Sequence, residues 1–293
     1  MRLGLSTPVV VQVPGVASEW ESTAGIDDLV QIARSADELG YDYLTCSEHV
    51  GIPSADAAVR GAVYFDPLAT LGYLAAHTRR IRLATAVLVL AYHHPLEIAK
   101  RYGTLDLLSG GRLILGVGIG SLKTEFDLLD ASWSQRAARA DDAIAALRAS
   151  LSTADPAYAG PFYSFDGMTI LPHAVQSRVP IWVGGRSAAS LHRAVTLGDG
   201  WMPFGLRRKQ VAEMLGPVEL PAGFDVVLGT PALDPSSDPD GTRACLVALG
   251  DVGATVVSCV VAARSATHFC EQLRMLAEIA DTVPGYNRTS ENG

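Results

Sequence analysis

The residues best placed to do chemistry form a glycine-rich turn that joins an apolar run to a helical segment. The turn reads Gly184-Gly185-Arg186-Ser187. A helix start offers amide donors without intrahelical partners and carries partial positive charge, and a guanidinium and a hydroxyl add further donors. These groups predict a site for a phosphate, which helix N-termini bind readily. The alternative is an ordinary helix N-cap at Ser187.

A second glycine-rich segment, residues 116–120 (GVGIG), ends another apolar run. Glycine removes side chains, so a flat ring system can lie against the backbone while amide groups face its oxygen atoms. We therefore assign Gly118, Ile119 and Gly120 to cofactor contact. The segment lacks the third glycine of a dinucleotide fingerprint and does not belong to a first βα unit, so it does not predict a Rossmann site.

Two pairs of neighbouring polar residues could also face a pocket or hold an ion. Glu48-His49 follows a strand-like run, and α/β folds place their ligands at the carboxyl ends of parallel strands. We expect His49 to point into such a pocket. His93 and His94 are adjacent on an extended segment and so point opposite ways, and no carboxylate lies at ligand spacing. We therefore predict no metal site.

The elements that must position these residues alternate between strands and helices. Nearly uninterrupted apolar runs predict strands that are buried on both faces. Eight such strands are predicted, at residues 2–6, 43–47, 81–87, 113–117, 181–184, 200–203, 224–229 and 254–261. Helical segments lie between them, with a start signal at Asp66-Pro67 and stop signals at Gly40 and Gly198. The alternation predicts an α/β protein with a single (β/α)8 TIM barrel, for which ~250 residues suffice.

Two segments are longer than this alternation requires. Residues 50–65, rich in Ala and Gly, follow the second strand, and residues 153–178 precede the fifth and contain PFYSFDGMTILP, which predicts a short hairpin. We expect both to be insertions at the C-terminal rim, as lids or as plain surface loops. Residues 1–286 are assigned to one barrel domain and residues 287–293 to a disordered tail.

Composition excludes several classes of protein. The chain has 293 residues, of which 48% are hydrophobic, and its net charge of −8 argues against a nucleic-acid or anionic-membrane surface. The longest apolar run is too short to span a bilayer and no signal peptide is visible, so we expect a cytoplasmic protein. The four cysteines show no metal-ligand spacing and are expected to be buried thiols: Cys46, Cys245, Cys259 and Cys270.

Three ordered motifs resemble the luciferase-like monooxygenase superfamily. Between residues 80 and 126 a strand is followed by HHP, a helix, LSGGRLILGVGIG and then EF. LGYDYLTCSEHV (residues 39–50) is similar to the second strand of the family, which ends in an acidic residue and a histidine. VPIWVGGRSAASLHRAVTLGDGWMP (residues 179–203) is similar to its fifth and sixth strands with the phosphate-binding turn between them. The resemblance is to the branch that uses the deazaflavin coenzyme F420.

The resemblance implies roles for individual residues. In the deazaflavin branch the matching histidine lies beside the reactive ring and contacts the carbonyl oxygen of the substrate, which makes His49 a catalytic candidate and Glu48 a cofactor contact. Many members have a cis peptide between two non-proline residues at the end of the third strand, where Ala86 and Val87 match. We expect this pair to lie under the central ring of the cofactor.

The start of the fourth helix has two interpretations. The family often carries an arginine and an acid there, which makes Arg136 a candidate cofactor ligand. Ion pairs within the helix explain the same residues equally well, because Arg139, Asp141 and Asp142 follow closely.

The chain also departs from the family pattern. Related deazaflavin dehydrogenases carry a glutamate just after the fourth strand as a proton donor, and here Ser121 stands at that position. They also carry a tryptophan a few residues beyond the histidine, and residues 50–53 offer none. His49 is therefore our choice for the proton, with Ser121 or Tyr64 as assistants.

The resemblance implies hydride transfer between coenzyme F420 and a small organic substrate. The deazaflavin carries two electrons as a hydride, so the protein has to position the substrate and manage one proton. The first alternative is an FMN-dependent two-component monooxygenase, supplied with reduced flavin by a separate reductase. The second, of a different class, is a catalytically degenerate barrel that only binds a cofactor. The family also implies a homodimer.

Overall fold

A closed barrel of parallel strands forms the centre of the computed structural model, which describes residues 1–288. The barrel strands are β1 (Arg2–Leu5), β2 (Tyr43–Cys46), β3 (Arg82–Thr85), β4 (Leu113–Gly118), β5 (Ile181–Gly184), β6 (Gly200–Met202), β7 (Asp225–Leu233) and β8 (Val256–Val261). Each strand pairs in parallel with its neighbours in chain order, β8 pairs with β1, and β5 pairs with β4, which closes the ring. The predicted (β/α)8 barrel is confirmed.

One long helix follows each barrel strand. The helices are α1 (Ile26–Glu38), α2 (Pro67–His77), α3 (Pro95–Ser109), α4 (Arg136–Ser150), α5 (Ala188–Leu197), α6 (Arg208–Leu215), α7 (Pro239–Asp251) and α8 (Ala266–Ala280). The Asp66 side chain accepts from the Ala69 amide at 2.8 Å and so caps α2, as the Asp-Pro pair predicts. Gly110, in the left-handed conformation at φ 71°, ends α3. No helix within residues 1–288 is long and apolar enough to cross a membrane.

Short helices and two-residue strands lie in the loops that connect the barrel strands and the long helices. The single-turn helices are Glu19–Ser22, Ala57–Arg60, Leu90–Tyr92 and Lys123–Leu128. Leu88–Val89 adds two residues of parallel pairing to the end of β4, Val11–Gln12 pairs antiparallel with Val63–Tyr64, and Tyr158–Ala159 pairs antiparallel with Ser164–Phe165. The Val11–Gln12 pairing joins the loop after β1 to the long loop after β2, so these two C-terminal loops form one unit.

Side chains fill the interior of the barrel. Tyr43, Ile114, Trp182 and Val256 are fully buried there, and the Tyr43 and Trp182 rings meet edge to face at 5.1 Å. A larger apolar layer lies between the strands and the helices. The interior is therefore a packed core, and ligands have to bind at its ends.

Paired charges close the N-terminal end of the barrel. Asp42, only 2% exposed, accepts from the Arg82 guanidinium at 2.5 and 3.1 Å, and Arg2 lies 3.7 Å away. Arg2 also pairs with Asp225 at 2.5 Å, and Asp225 accepts from the Trp182 indole nitrogen at 3.2 Å. The charges at this end are matched, which leaves the C-terminal end as the place for a site.

The segment at residues 153–178 runs along the outside of the barrel. Gln176 bonds to α3 near the end of that helix, so the segment is fastened at the N-terminal end, as a connection from a helix to the next strand requires. Its hairpin begins at Tyr158, earlier than PFYSFDGMTILP predicts, because Asp142 of α4 holds the Tyr158 hydroxyl and the amides of Phe162 and Tyr163. The hairpin approaches the C-terminal rim, because Tyr163 packs against His94 at the start of α3, and its role as a lid stays a prediction.

Two predictions, the disordered C-terminal tail and the four buried cysteines, need qualification. Asn287 donates its amide to the Met1 carbonyl at 2.8 Å and Arg288 pairs with Asp281 at 2.5 Å, whereas residues 289–293 of the predicted tail lie outside the described residues. Cys46 and Cys259 are buried thiols as expected, but Cys245 and Cys270 are only half-buried.

Candidate active site

A cavity of about 380 Å³ opens at the C-terminal end of the barrel. The ends of β1, β3, β6, β7 and β8 supply its wall, and the lining residues include Ser6, Ala86, Met202, Phe204, Thr230 and Ser258. Hydroxyl groups, apolar side chains and Arg208 share the lining. A mostly apolar concave surface with a few polar groups is the usual form of a small-molecule site.

The peptide bond between Ala86 and Val87, at the end of β3, is cis as expected. The Ser47 hydroxyl donates to the Ala86 carbonyl at 2.7 Å and so ties the ends of β2 and β3 together. Ala86 lines the cavity, which places the predicted cofactor contact beside it. The contact itself stays a prediction.

The rim glycines serve a purpose that the sequence did not reveal. A β-carbon at Gly116 would overlap the Thr85 carbonyl oxygen, and β-carbons at Gly118 and Gly184 would lie 2.6 and 2.9 Å from the Val87 side chain. Thr85 and Val87, at the end of β3, thus occupy the space directly beside these glycines, and the expected contact of Gly118, Ile119 and Gly120 with a flat cofactor ring stays a prediction. Glycine fits there because the Thr85 carbonyl and the Val87 side chain lie too close to accommodate a β-carbon without a shift.

His49 forms a hydrogen-bonded pair with a carboxylate that sequence reasoning missed. Its Nδ1 lies 2.7 Å from Oε2 of Glu125, a residue of the short helix Lys123–Leu128. Glu125 is 1% exposed, whereas His49 retains 19% exposure, and its ring meets Tyr64 edge to face at 4.6 Å. Within residues 1–288, Nε2 of His49 is neither hydrogen-bonded nor buried. His49 therefore offers one free ring nitrogen, although it does not itself line the 380 Å³ cavity.

The surroundings of Glu125 favour its charged form. Burial by itself raises the pKa of this carboxyl, but hydrogen bonds from His49, Gly51 and Val50 outweigh burial and hold the pKa below its ordinary value. A charged carboxylate can only accept, so Nδ1 of His49 must carry a proton. Burial and the nearby Glu125 charge raise the pKa of Tyr92, so its hydroxyl also remains a donor.

Glu48 belongs to a second histidine pair. Its Oε1 lies 2.6 Å from Nε2 of His93, and its Oε2 accepts from the Val89 amide at 2.6 Å. Burial lowers the pKa of His93, but the hydrogen bond and charge of Glu48 and the charge of Glu97 raise it above the ordinary value. Both Glu48 oxygens thus already bind protein groups, and its predicted cofactor contact stays untested.

Both histidines before α3 have protein partners, Glu48 for His93 and the Leu96 amide for His94. His94 caps α3, because its Nδ1 accepts from the Leu96 amide at 3.2 Å, and its ring packs against Tyr163 at 5.4 Å. Across residues 1–288 no group of three or more potential ligand side chains could hold a metal ion.

The predicted phosphate turn lies between β5 and α5. Gly185 has φ 128°, which only glycine adopts readily, and a β-carbon there would lie 2.7 Å from Ser190. Ser187 is an N-cap that accepts from the Ser190 amide at 3.2 Å, so the capping interpretation is correct for its hydroxyl. Arg186 is exposed, with its guanidinium 5.6 Å from the ring of Phe204, which lines the cavity. The turn thus borders the cavity.

The ion pairs expected within α4 are not present in the described chain. Asp141 pairs instead with Arg193 of α5, and Asp142 binds the hairpin. The Arg136 guanidinium lies 3.7 Å from the centre of the Trp133 ring, and the Nε atoms of Arg136 and Arg139 are buried without a hydrogen bond. Arg136 thus has no carboxylate partner within residues 1–288, and its cofactor contact stays a prediction.

The remaining predicted residues lie around the loop after β4. Ser121 is exposed and forms no hydrogen bond with His49 within residues 1–288, whereas Glu125 does. Gly120, at φ 77°, packs against Phe126, and Tyr64 donates its hydroxyl to the Arg60 carbonyl at 2.8 Å. The EF pair at Glu125 and Phe126, both buried, was the signal in the sequence that could have identified Glu125.

Comparison with known proteins agrees with this architecture. The family described as Luciferase-like monooxygenase matches residues 1–219, from β1 to beyond α6. An uncharacterized protein of Mycobacterium bovis (strain ATCC BAA-935 / AF2122/97) is 30% identical over 223 residues, covering 71% of this chain and 79% of that protein. The F420-dependent glucose-6-phosphate dehydrogenase of Microbacterium testaceum (strain StLB037) is 30% identical over 182 residues, covering 61% of this chain and 52% of that enzyme.

A solved structure matches nearly the whole barrel. Monooxygenase RslO1 from Streptomyces bottropensis has a TM-score of 0.76 and 24% identity, covering 95% of this chain and 98% of that one. This similarity concerns the fold. Together with the family match over residues 1–219, it accounts for the barrel and for the order of the motifs along it. The chain belongs to the luciferase-like monooxygenase family.

Proposed function

We propose that the protein binds coenzyme F420 at the C-terminal end of the barrel and transfers a hydride between it and a small organic substrate. The observation that carries the proposal is the position of the turn around Gly185 and Arg186 at the border of the cavity. A phosphate bound at the turn would leave the rest of the cofactor beside the cavity wall. The similarity to an F420-dependent dehydrogenase of Microbacterium testaceum supports the choice of a deazaflavin.

The residues of the turn fit the anionic part of such a cofactor. Gly185 lets the backbone turn tightly into α5, and an exposed guanidinium stands beside the helix start. A bound deazaflavin would supply two-electron hydride chemistry. Arg186 and the first amides of α5 would hold its phosphate, and Ala86 would border its ring. Nε2 of His49 would exchange the proton of the substrate oxygen.

One observation favours a second function, that of an FMN-dependent two-component monooxygenase. The glutamate that related deazaflavin dehydrogenases use as proton donor is replaced by the exposed Ser121, and the surroundings of Glu125 hold that residue in its charged form. The lack of a protonated carboxyl fits a reaction other than dehydrogenation. A separate reductase would then supply reduced flavin. A homodimer is also proposed, from the family resemblance alone.

A side-by-side titration of the purified protein with coenzyme F420 and with FMN tests the proposal. We expect F420 to bind more tightly. Arg186→Ala should weaken that binding by about 10–100-fold, because a hydrogen bond to a charged group contributes about 1.5–3 kcal/mol. Arg101→Ala removes an exposed arginine that pairs with Glu97 on α3 and is the matched control. Tighter binding of FMN would support the monooxygenase, and binding of neither would refute both enzymes.

A further inference from the structure

The Glu125 carboxylate accepts hydrogen bonds at both of its oxygen atoms. Oε1 accepts from the amides of Val50 and Gly51 at 2.6 and 3.2 Å. Oε2 accepts from the Tyr92 hydroxyl at 3.1 Å and lies 2.7 Å from Nδ1 of His49. Two carboxylate oxygens offer about four acceptor positions, so these donors satisfy the anion and leave no position for a proton on it. Glu125 therefore does not replace the missing proton donor.

We infer that Glu125 is a positioning residue that fixes His49 as the Nδ1–H tautomer and leaves Nε2 to exchange a proton with the substrate. The carboxylate can only accept, so the proton between the two groups belongs to Nδ1. A carboxylate that orients an imidazole in this way also stabilises the imidazolium that forms during proton transfer. The inference rests on the proposed function only for the step in which the substrate takes part.

The proton and the hydride balance in that step. When an alcohol is oxidised, its carbon loses a hydride to the cofactor, its oxygen loses a proton to Nε2 of His49, and a carbonyl forms. In the reverse direction Nε2 returns the proton as the hydride arrives at the carbon. The proton on Nδ1 stays in place throughout, held by the Glu125 charge.

The amides of Val50 and Gly51 determine how the side-chain amide of Glu125→Gln is oriented. Both amides point at Oε1, so this position has to remain an oxygen in the variant. The NH2 group of the glutamine then takes the place of Oε2 and donates toward Nδ1 of His49. A ring nitrogen that accepts a hydrogen bond cannot carry a proton, so His49 should switch to the Nε2–H tautomer.

Long-range proton–nitrogen NMR of the full chain with 15N-labelled histidine tests this inference without cofactor or substrate. His49→Ala identifies the signals of His49 by their disappearance. At mildly alkaline pH we expect the Nδ1–H tautomer in the wild type and the Nε2–H tautomer in Glu125→Gln. His93→Gln, which breaks the neighbouring carboxylate–histidine pair, is the matched control and should leave the tautomer of His49 unchanged.

Two results would overturn the inference: an Nε2–H tautomer in the wild type, or an unchanged Nδ1–H tautomer in Glu125→Gln. If Glu125→Gln does not fold, the wild-type spectrum still decides, and Tyr92→Phe should retain Nδ1–H because the carboxylate remains. The tautomer is measured without cofactor, so failure of the F420 titration would refute the proposed function and leave this result standing. Tight binding of F420 together with the wrong tautomer of His49 would refute the inference alone.

Discussion

The N-terminal and C-terminal ends of the barrel both carry charged side chains, but they pair them differently. At the N-terminal end, Asp42 meets Arg82 and Arg2, and Arg2 also meets Asp225. At the C-terminal end, His49 has one bound and one free ring nitrogen, and Arg186 has no carboxylate partner within the described residues. Matched charges stabilise a fold, whereas accessible polar groups without partners remain available to a ligand. The two ends should therefore respond differently to mutation.

The largest effect is expected from His49→Ala at the C-terminal end. Loss of an acid–base group slows turnover by about 10²–10⁴-fold, while affinity for the cofactor should stay within a few-fold because other loops hold it. The free energy of unfolding should change little, since the ring is partly exposed and the amides of Val50 and Gly51 and the Tyr92 hydroxyl still satisfy Glu125. Turnover, cofactor titration and chemical denaturation measure the three quantities.

Unchanged turnover of His49→Ala would reduce this histidine to a structural residue. An equal loss of turnover and of cofactor affinity would assign it to cofactor binding instead. Either result would contradict the assignment of an acid–base role to the C-terminal end of the barrel.

At the N-terminal end, Asp42→Ala should destabilise the protein without affecting the site. The variant leaves Arg82 without its carboxylate, while Arg2 keeps Asp225, and breaking a buried pair in this way costs about 2–3 kcal/mol once the partial exposure of Arg82 is considered. Urea denaturation measures the loss. A cofactor affinity that fell together with stability would contradict the separation of the two ends.

The smallest effect is a dependence of stability on acid pH that originates at the C-terminal end. The folded-state pKa of Glu125 lies below its ordinary value of 4.5. A lowered carboxyl pKa contributes stability that is fully present above the unfolded value and is lost as pH falls through the folded value. The stability difference between the wild type and Glu125→Gln should therefore shrink below about pH 4.5. Denaturation at several pH values checks this, and a constant difference would exclude Glu125 as the titrating group.

Much of the fold could be predicted from local patterns. Seven of the eight observed strands lie within two residues of the predicted bounds, and β7 extends to Leu233, four residues beyond its predicted end. Helix signals such as Asp66-Pro67 and Gly198 stand where helices begin and end. The cis peptide between Ala86 and Val87 also agrees with the expectation from the family. Turn and cap signals succeed because they act over a few residues, where the backbone geometry depends on the side chains next to it.

The candidate site could be predicted only in part. The turn at Gly185 and the position of His49 at the end of β2 follow from sequence, because parallel strands bring their carboxyl ends to one face. The partner of His49 did not follow, since Glu125 is 76 residues away and reaches the ring only through a single turn of helix. The close approach of Val87 to Gly118 could not be predicted from sequence either, because it depends on how the end of β3 packs against β4.

The sequence by itself determined the barrel, its closed order of strands and helices, and the end of the barrel at which we expect ligands. These features depend on hydrophobic periodicity and on turn-forming residues, and both signals involve residues that are close together in the sequence. Only the tertiary structure decided which carboxylate holds which histidine: Glu125 binds His49, while Glu48, its neighbour in sequence, binds His93. Adjacent residues beyond a strand end can point to different partners, and those partners lie on other loops whose positions are fixed by packing.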